Sequence, residues 1–171
     1  LTLEQKRAFY RDGYIILKFF LHISPQEQEK RFRELEGNAS TEWRVTEKDW
    51  EKHRNYGRYA KITNAMMART NTQYAPWTVV EAEDWRYATQ KVYNTIIQTV
   101  ESRIRAHTQT EVQFGPPAWR EEHIPDLLGK VDLSPKLSRG EYGNQLRKYQ
   151  DQARELEHEL YHQERSAIIV Y

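Results

Sequence analysis

Apolar positions gather in three short runs separated by stretches of helical period. The strongest run is YIILKFFLHI, residues 14–23, broken only by Lys18 and His22. A run without alternation predicts a strand covered on both faces, as in a parallel sheet. Residues 77–82 and 166–171 are shorter runs that also predict strands. Directly after the first run, Ser24-Pro25-Gln26-Glu27 predicts a helix start. Ser24 caps it, Pro25 fills the first helical position and Glu27 completes a capping box. That helix covers about residues 25–35 and carries Lys30, Arg31 and Arg33.

Helical period predicts four more helices. One covers 1–12, with Leu3, Phe9 and Tyr10 as its apolar contacts, and Asp12-Gly13 turns it into the first strand. A single long helix spans 47–69, opened by Thr46 and Asp49, with Trp50, Tyr56, Tyr59, Ile62 and Met66 as its packed stripe. Asp84 caps a helix over 85–107 that buries Tyr87, Val92, Ile96, Ile97, Val100 and Ile104. The last runs from Ser138 to about 164, with Tyr142, Leu146, Tyr149, Ala153, Leu156 and Leu160 at coiled-coil-like intervals.

Helices alternating with strands over residues 1–107 predict an α/β fold: a three-layer parallel sheet with helices on both faces. Two strands make an unsound sheet of that kind, so the domain is expected to be incomplete in this chain, with strands missing upstream. Residues 108–137 hold Pro116, Pro117, Pro125, Pro135, Gly115 and Gly129 and read as a linker. Residues 138–171 then read as a second domain beginning, and 166–171 is expected in a sheet separate from the first. Both ends look cut, which makes the chain a piece of a longer protein.

Composition narrows the function classes. Of 171 residues, 38% are hydrophobic and 30% charged, as in a polar but foldable chain. The net charge is +1, so a polyanion site has to be a local cluster. Without cysteine there are no disulfides or thiolate metal sites, and a cytoplasmic setting is favoured. No apolar run approaches membrane-spanning length.

Among candidate residues, Arg31 and Arg33 sit on the helix after the central strand, where open α/β sheets meet anionic ligands; a solvated helix face is the plainer reading. Lys18, inside an apolar strand, either reaches the phosphate end of the sheet or meets a carboxylate from an absent strand. His22 has no metal-ligating neighbour at suitable spacing and reads as a core histidine. Trp43 reads as core packing, with Arg44 beside it as a further arginine candidate. Lys52, His53, Arg54, Arg58 and Lys61 make a basic helix face interleaved with Tyr56 and Tyr59. That face suits a long polyanion or RNA, though no RNA motif is present.

At KFFLHIS, EWRVT, ARTNT and APWTVVEA, the chain resembles the family-2 polyphosphate kinases, which are thymidylate-kinase-like P-loop phosphotransferases. The resemblance covers roughly residues 14–105, the C-terminal half of such a domain. The segment VDLSPKLSRGEYGNQLRKYQ…LYHQERSAIIVY looks like the start of a second copy, as in the tandem polyphosphate:AMP phosphotransferases. Neither the family's Gly-rich Lys loop nor its acidic strand motif is present, and Leu35 stands where relatives carry a lid arginine. Residues between Phe9 and Tyr14 are also fewer than in the family.

The resemblance implies a parent enzyme that moves a phosphoryl group between inorganic polyphosphate and a nucleotide, AMP to ADP. It implies Arg31, Arg33, Arg44 and Lys18 as lid or phosphate ligands, Thr70 and Thr72 near the nucleotide, and Mg2+ held by residues outside this chain. No residue of this chain is expected to be catalytic by itself or to bind metal. A homo-oligomer acting on neither membrane nor nucleic acid is expected. Two other readings stay open: a non-catalytic copy that supports a catalytic one, and a polyanion-binding module without chemistry.

Overall fold

The computed structural model describes residues 3–12, 14–106, 126–163 and 167–170. Its elements in order are α1 (Leu3–Arg11), β1 (Ile15–His22), α2 (Pro25–Glu36), α3 (Glu47–Arg54), α4 (Tyr56–Thr70), β2 (Trp77–Glu81), α5 (Trp85–Ala106), α6 (Arg139–His162) and β3 (Ala167–Val170), with a 3-10 turn at Glu42–Arg44. The three strands form one parallel sheet in the order β2-β1-β3. The α/β class and the parallel pairing of β1 with β2 are as expected from their apolar runs.

Alternation along β1 divides its side chains between two faces. Ile15, Leu17 and Phe19 join Val80, Ala82, Ala88, Val100 and Leu160 in one core, with Val92, Ile96, Ile104 and Leu156 packed against it. This is the layer of α5 and α6. On the other face Ile16 and Lys18 are buried, and the Lys18 amine reaches the last carbonyl of α4. Helices therefore cover both faces of the central strand.

Three expectations are corrected. First, the described part of the run expected in a separate sheet, Ala167–Val170, lies in the same sheet as β1, and residues 166 and 171 lie outside the described residues. Ala167 to Val170 pair with Ile15 to Lys18, so β3 lies along the edge of β1 opposite β2. Burial drives this: Leu156 and Leu160 of α6 complete the same core as Leu17 and Phe19, which brings the following strand to the open edge. Among the described residues, α6 packs on the core of this sheet and β3 pairs within it, so the sheet has three strands where two were expected. The Pro-rich stretch lies largely outside the described residues.

Second, the single helix expected over 47–69 is two. Asn55 ends α3, its backbone N–H reaching the Glu51 and Lys52 carbonyls and its side-chain amide donating to Glu51 O at 3.0 Å. Local side-chain bonding of this kind competes with continued helix. Third, Tyr59, Ile62 and Met66 are exposed on α4, which buries Met67 and Ala68 instead. The break at Asn55 separates Trp50 on α3 from the rest of the stripe, and α4 turns its Met67–Ala68 face inward.

Docking of α6 rests on few residues, which makes it testable. Leu160 is 9% exposed, and Leu160→Ala is expected to lower stability by about 2–4 kcal/mol. Ile62→Ala, on the exposed face of α4, should stay within about 0.5 kcal/mol of the parent. Urea unfolding of the two variants measures both. Equal stabilities would mean that α6 does not share the core.

Candidate functional site

The carboxyl end of β1 is where the sheet can meet a ligand, and its geometry begins with Ser24. The Ser24 hydroxyl accepts from Glu27 N at 3.2 Å and so caps α2. The reciprocal half of the expected capping box is taken by another group: Ser24 N donates to the Glu83 carboxylate at 3.3 Å, just past β2. Tyr56, at the start of α4, donates its hydroxyl to Ile23 O at 2.5 Å. Asp84 caps α5, accepting from Arg86 N and Tyr87 N at 2.8 and 3.1 Å. Two strand exits and three helix starts thus meet at one edge.

Arg31 ties this edge together. Its Nε donates to Glu27 at 2.8 Å, one turn back on α2, while Nη2 donates to the carbonyls of Ala82 and Glu83 at 2.7 and 3.1 Å. Those carbonyls leave β2 beyond the sheet ladder and need donors. The same arginine beside Glu27 holds that carboxyl below its usual range. Of the five guanidinium N–H groups, the two on Nη1 make no bond among the described residues. With its side chain 38% exposed, Arg31 is fixed in place and still has donors to offer an oxyanion.

Arg33 and Arg44 share no partner with Arg31 or with each other. Arg33 gives both Nε and Nη2 to Glu29, at 3.1 and 2.7 Å, and lies over the Trp50 ring. Trp50 in turn donates to Glu36 at 2.6 Å and packs edge-on against Phe32, while His53 and Gln28 meet at 2.9 Å; together these fasten α3 to α2. The Arg44 side chain stacks over Trp43 and makes no hydrogen bond or ion pair among the described residues. Trp43 is 71% exposed, contrary to the core role expected for it: the short 3-10 turn carries it outside the helical layer.

Lys18, Thr70 and Thr72 lie elsewhere. Lys18 pairs in register with Trp77, the first residue of β2. It is therefore four residues short of His22, about 13 Å from the carboxyl edge. Its amine donates to Thr70 O at 2.6 Å and sits 4.8 Å from the Trp77 ring centre. The Thr70 hydroxyl accepts from Trp77 Nε1 at 2.8 Å and donates to Met66 O at 2.7 Å. Thr72 closes the turn before β2, its hydroxyl accepting from Ala75 N at 3.1 Å. Among the described residues Lys18 meets no carboxylate; it caps the last carbonyl of α4, a favourable place for a cation.

Other expected groups resolve into ordinary partners. His22 is buried, and that burial lowers its pKa against the pull of Glu83, a backbone bond at Leu128 and Glu81, consistent with a core histidine. In the basic face of α3 and α4, Lys52 pairs with Asp49 and Arg54 with Glu47, leaving Arg58 and Lys61 exposed without ion pairs among the described residues. No three His, Asp or Glu side chains converge on a metal position among the described residues. Sequence reading missed the Glu83–Ser24 bond and the two carbonyls held by Arg31, because those partners lie more than fifty positions away.

Burial at Lys18 predicts a pH signature. Desolvation, followed by repulsion from Lys6, pushes its pKa down to about 7. Between that value and the unfolded pKa of about 10.4 the unfolded chain binds more protons, so stability rises with pH across this window. From pH 7 to pH 9 the rise due to Lys18 is on the order of 1–2 kcal/mol. Lys18→Met should remove that component, seen as a flatter pH dependence of the urea midpoint. The same slope in both proteins would show that Lys18 is not desolvated.

Comparison with known proteins places the chain in a family. The family model described as Polyphosphate kinase 2 (PPK2) matches residues 2–108. A polyphosphate:AMP phosphotransferase of Pseudomonas aeruginosa is 40% identical over 90 residues, 53% of this chain and 18% of the relative. One from Pseudomonas syringae pv. tomato is 38% identical over 137 residues, 79% of this chain and 27% of the relative. An AMP/ADP-polyphosphate phosphotransferase of Meiothermus ruber is 35% identical over 108 residues, 63% of this chain and 40% of the relative. A crystal structure from Pseudomonas aeruginosa PA01 assigned to polyphosphate kinase 2 superposes with a TM-score of 0.57 at 35% identity, covering 60% of this chain and 22% of its own. The chain thus spans less than half the length of these relatives. From its match over residues 2–108, the chain belongs to the polyphosphate kinase 2 family.

Proposed function

We propose that this chain is part of a phosphotransferase that moves a phosphoryl group between inorganic polyphosphate and a nucleotide, with AMP to ADP as the reaction. The observation that carries the reading is Arg31, fixed at the carboxyl edge of a parallel sheet in a chain of this family, with two N–H groups uncommitted among the described residues. Phosphoryl transfer demands positioning and charge neutralisation more than covalent chemistry from the protein. A guanidinium already oriented by three bonds supplies both without reorganising. Arg44, exposed beside Trp43, is the second arginine of this reading, and Arg33, held by Glu29, the third. Lys18, Thr70 and Thr72 act here through structure, by holding α4 and the entry to β2 in place.

The described residues do not fit a Mg2+ site, since no three acidic or histidine side chains converge. The reading assigns Mg2+ and the phosphate loop to residues outside this chain. It includes a cytoplasmic, homo-oligomeric enzyme; the cysteine-free composition supports the cytoplasm. A second reading, a non-catalytic copy that supports a catalytic neighbour, draws on the same bonds: Arg31 and Arg33 already have carboxylate partners.

Arg31→Ala and Arg44→Ala in the full-length parent separate the two. Arg44→Ala is expected to cost about tenfold to a thousandfold in polyphosphate-driven ADP formation from AMP, with thermal unfolding unchanged. Arg31→Ala should lower turnover similarly and also destabilise the fold by roughly 1–3 kcal/mol, because two β2 exit carbonyls lose their donor. Full turnover in both variants would favour the supporting copy.

A further inference from the structure

We propose that the last two turns of α6 hold a divalent transition-metal ion between His158 and His162. The two rings stand one helical turn apart on an exposed face, with centroids 4.3 Å apart and planes at 73°. Their Nε2 atoms approach to 3.1 Å. A contact of this length brings both nitrogens within reach of a single ion. With metal–nitrogen bonds of about 2.0–2.1 Å, this separation subtends roughly 95–100° at an ion between them. That angle falls between the right angle of square or octahedral sites and the tetrahedral angle, so neither ring has to move far.

Local charge supports a cation here. Glu155, Glu157 and Glu159 flank the pair along the helix, and the nearby Arg154 is engaged by Asp151 at 3.0 Å. Glu159 accepts from Gln163 at 3.2 Å. No third histidine or carboxylate converges on the ion's position among the described residues, so water completes the coordination. In the metal-free protein one ring must donate its Nε2 proton to the other. Metal binding needs both Nε2 lone pairs, which the donating ring provides by carrying its proton on Nδ1 instead. Imidazole nitrogens select copper, nickel and zinc and reject magnesium. The site is thus chemically distinct from the Mg2+ assigned to phosphoryl transfer and stands whether or not that reading holds.

The ion would clip the C-terminal turn of α6, from which the chain proceeds to β3. Titration of the whole chain with Cu2+, Ni2+ or Zn2+ alone is expected to give one ion per chain, Cu2+ binding tightest. The ion should also raise the thermal midpoint and slow amide exchange at residues 159–163. Mg2+ in excess should not compete. His158→Ala and His162→Ala should each weaken binding by more than about tenfold, since each removes one of two protein ligands. A third variant, His162→Ala combined with Gln163→His, keeps all six histidines but breaks the one-turn spacing, and should bind as weakly. Far-UV circular dichroism without metal checks that the helix is intact in each variant. Unchanged affinity in the respaced variant, or the absence of saturable binding to the parent chain, overturns the proposal.

Discussion

A strand bonded along both edges and covered on both faces has only its two ends left to meet anything else. β1 approaches that state in two halves: β3 pairs with Ile15 to Lys18 on one edge, β2 with Lys18 to His22 on the other, and helices cover its faces except at the exposed Leu21. Each end is settled by a different device. At the amino-terminal half, a buried lysine is spent on the last carbonyl of α4 and on an indole face. At the carboxyl end, Ser24, Tyr56 and Arg31 bond to groups from β1, β2 and the loop beyond. Unsatisfied backbone groups at strand exits are expensive when buried, so these bonds decide where α2 and α4 begin. What could recognise a ligand at this edge is left over from that accounting.

The arginines illustrate the division. A guanidinium has more donors than one structural task consumes, so Arg31 can fasten two elements and still present N–H groups. Lysine in its place would lose the fork geometry that reaches two carbonyls and a carboxylate together. Arg33 has spent its charge on Glu29 in an exposed pair, an interaction of small worth that a stronger anion can displace. Arg44 has spent none among the described residues and stays aligned on an aromatic face. One stretch of sequence thus holds three degrees of commitment, which residue type alone does not distinguish.

Local signals in the sequence were reliable where one element settles the matter. The apolar run of β1, the Ser24 and Asp84 caps, and the extents of α5 and α6 all depend on neighbours a few positions away. Long-range pairings were not legible. No local feature says that β3 lies beside β1, that Glu83 takes the Ser24 amide, or that Lys18 finds Thr70 O. Tyr59, Ile62 and Met66 do share one face of α4, but that face is exposed and α4 buries Met67 and Ala68, which period alone does not tell. The spacing of His158 and His162 was present in the sequence all along; what the spacing could not give is the convergence of their Nε2 atoms.

Pairing β3 with β1 also has a temporal side. Ile15 and Ala167 are register partners at opposite ends of the chain. During synthesis at about 5–20 residues per second, β3 leaves the ribosome roughly 7–30 s after β1. Through that interval β3 is not there to pair with Ile15 to Lys18, although β2 has long been available. An edge left unpaired templates pairing with any other nascent strand. Pairing of β3 with β1 is therefore set by the search of a long loop, which makes it slow beside the pairing of β2.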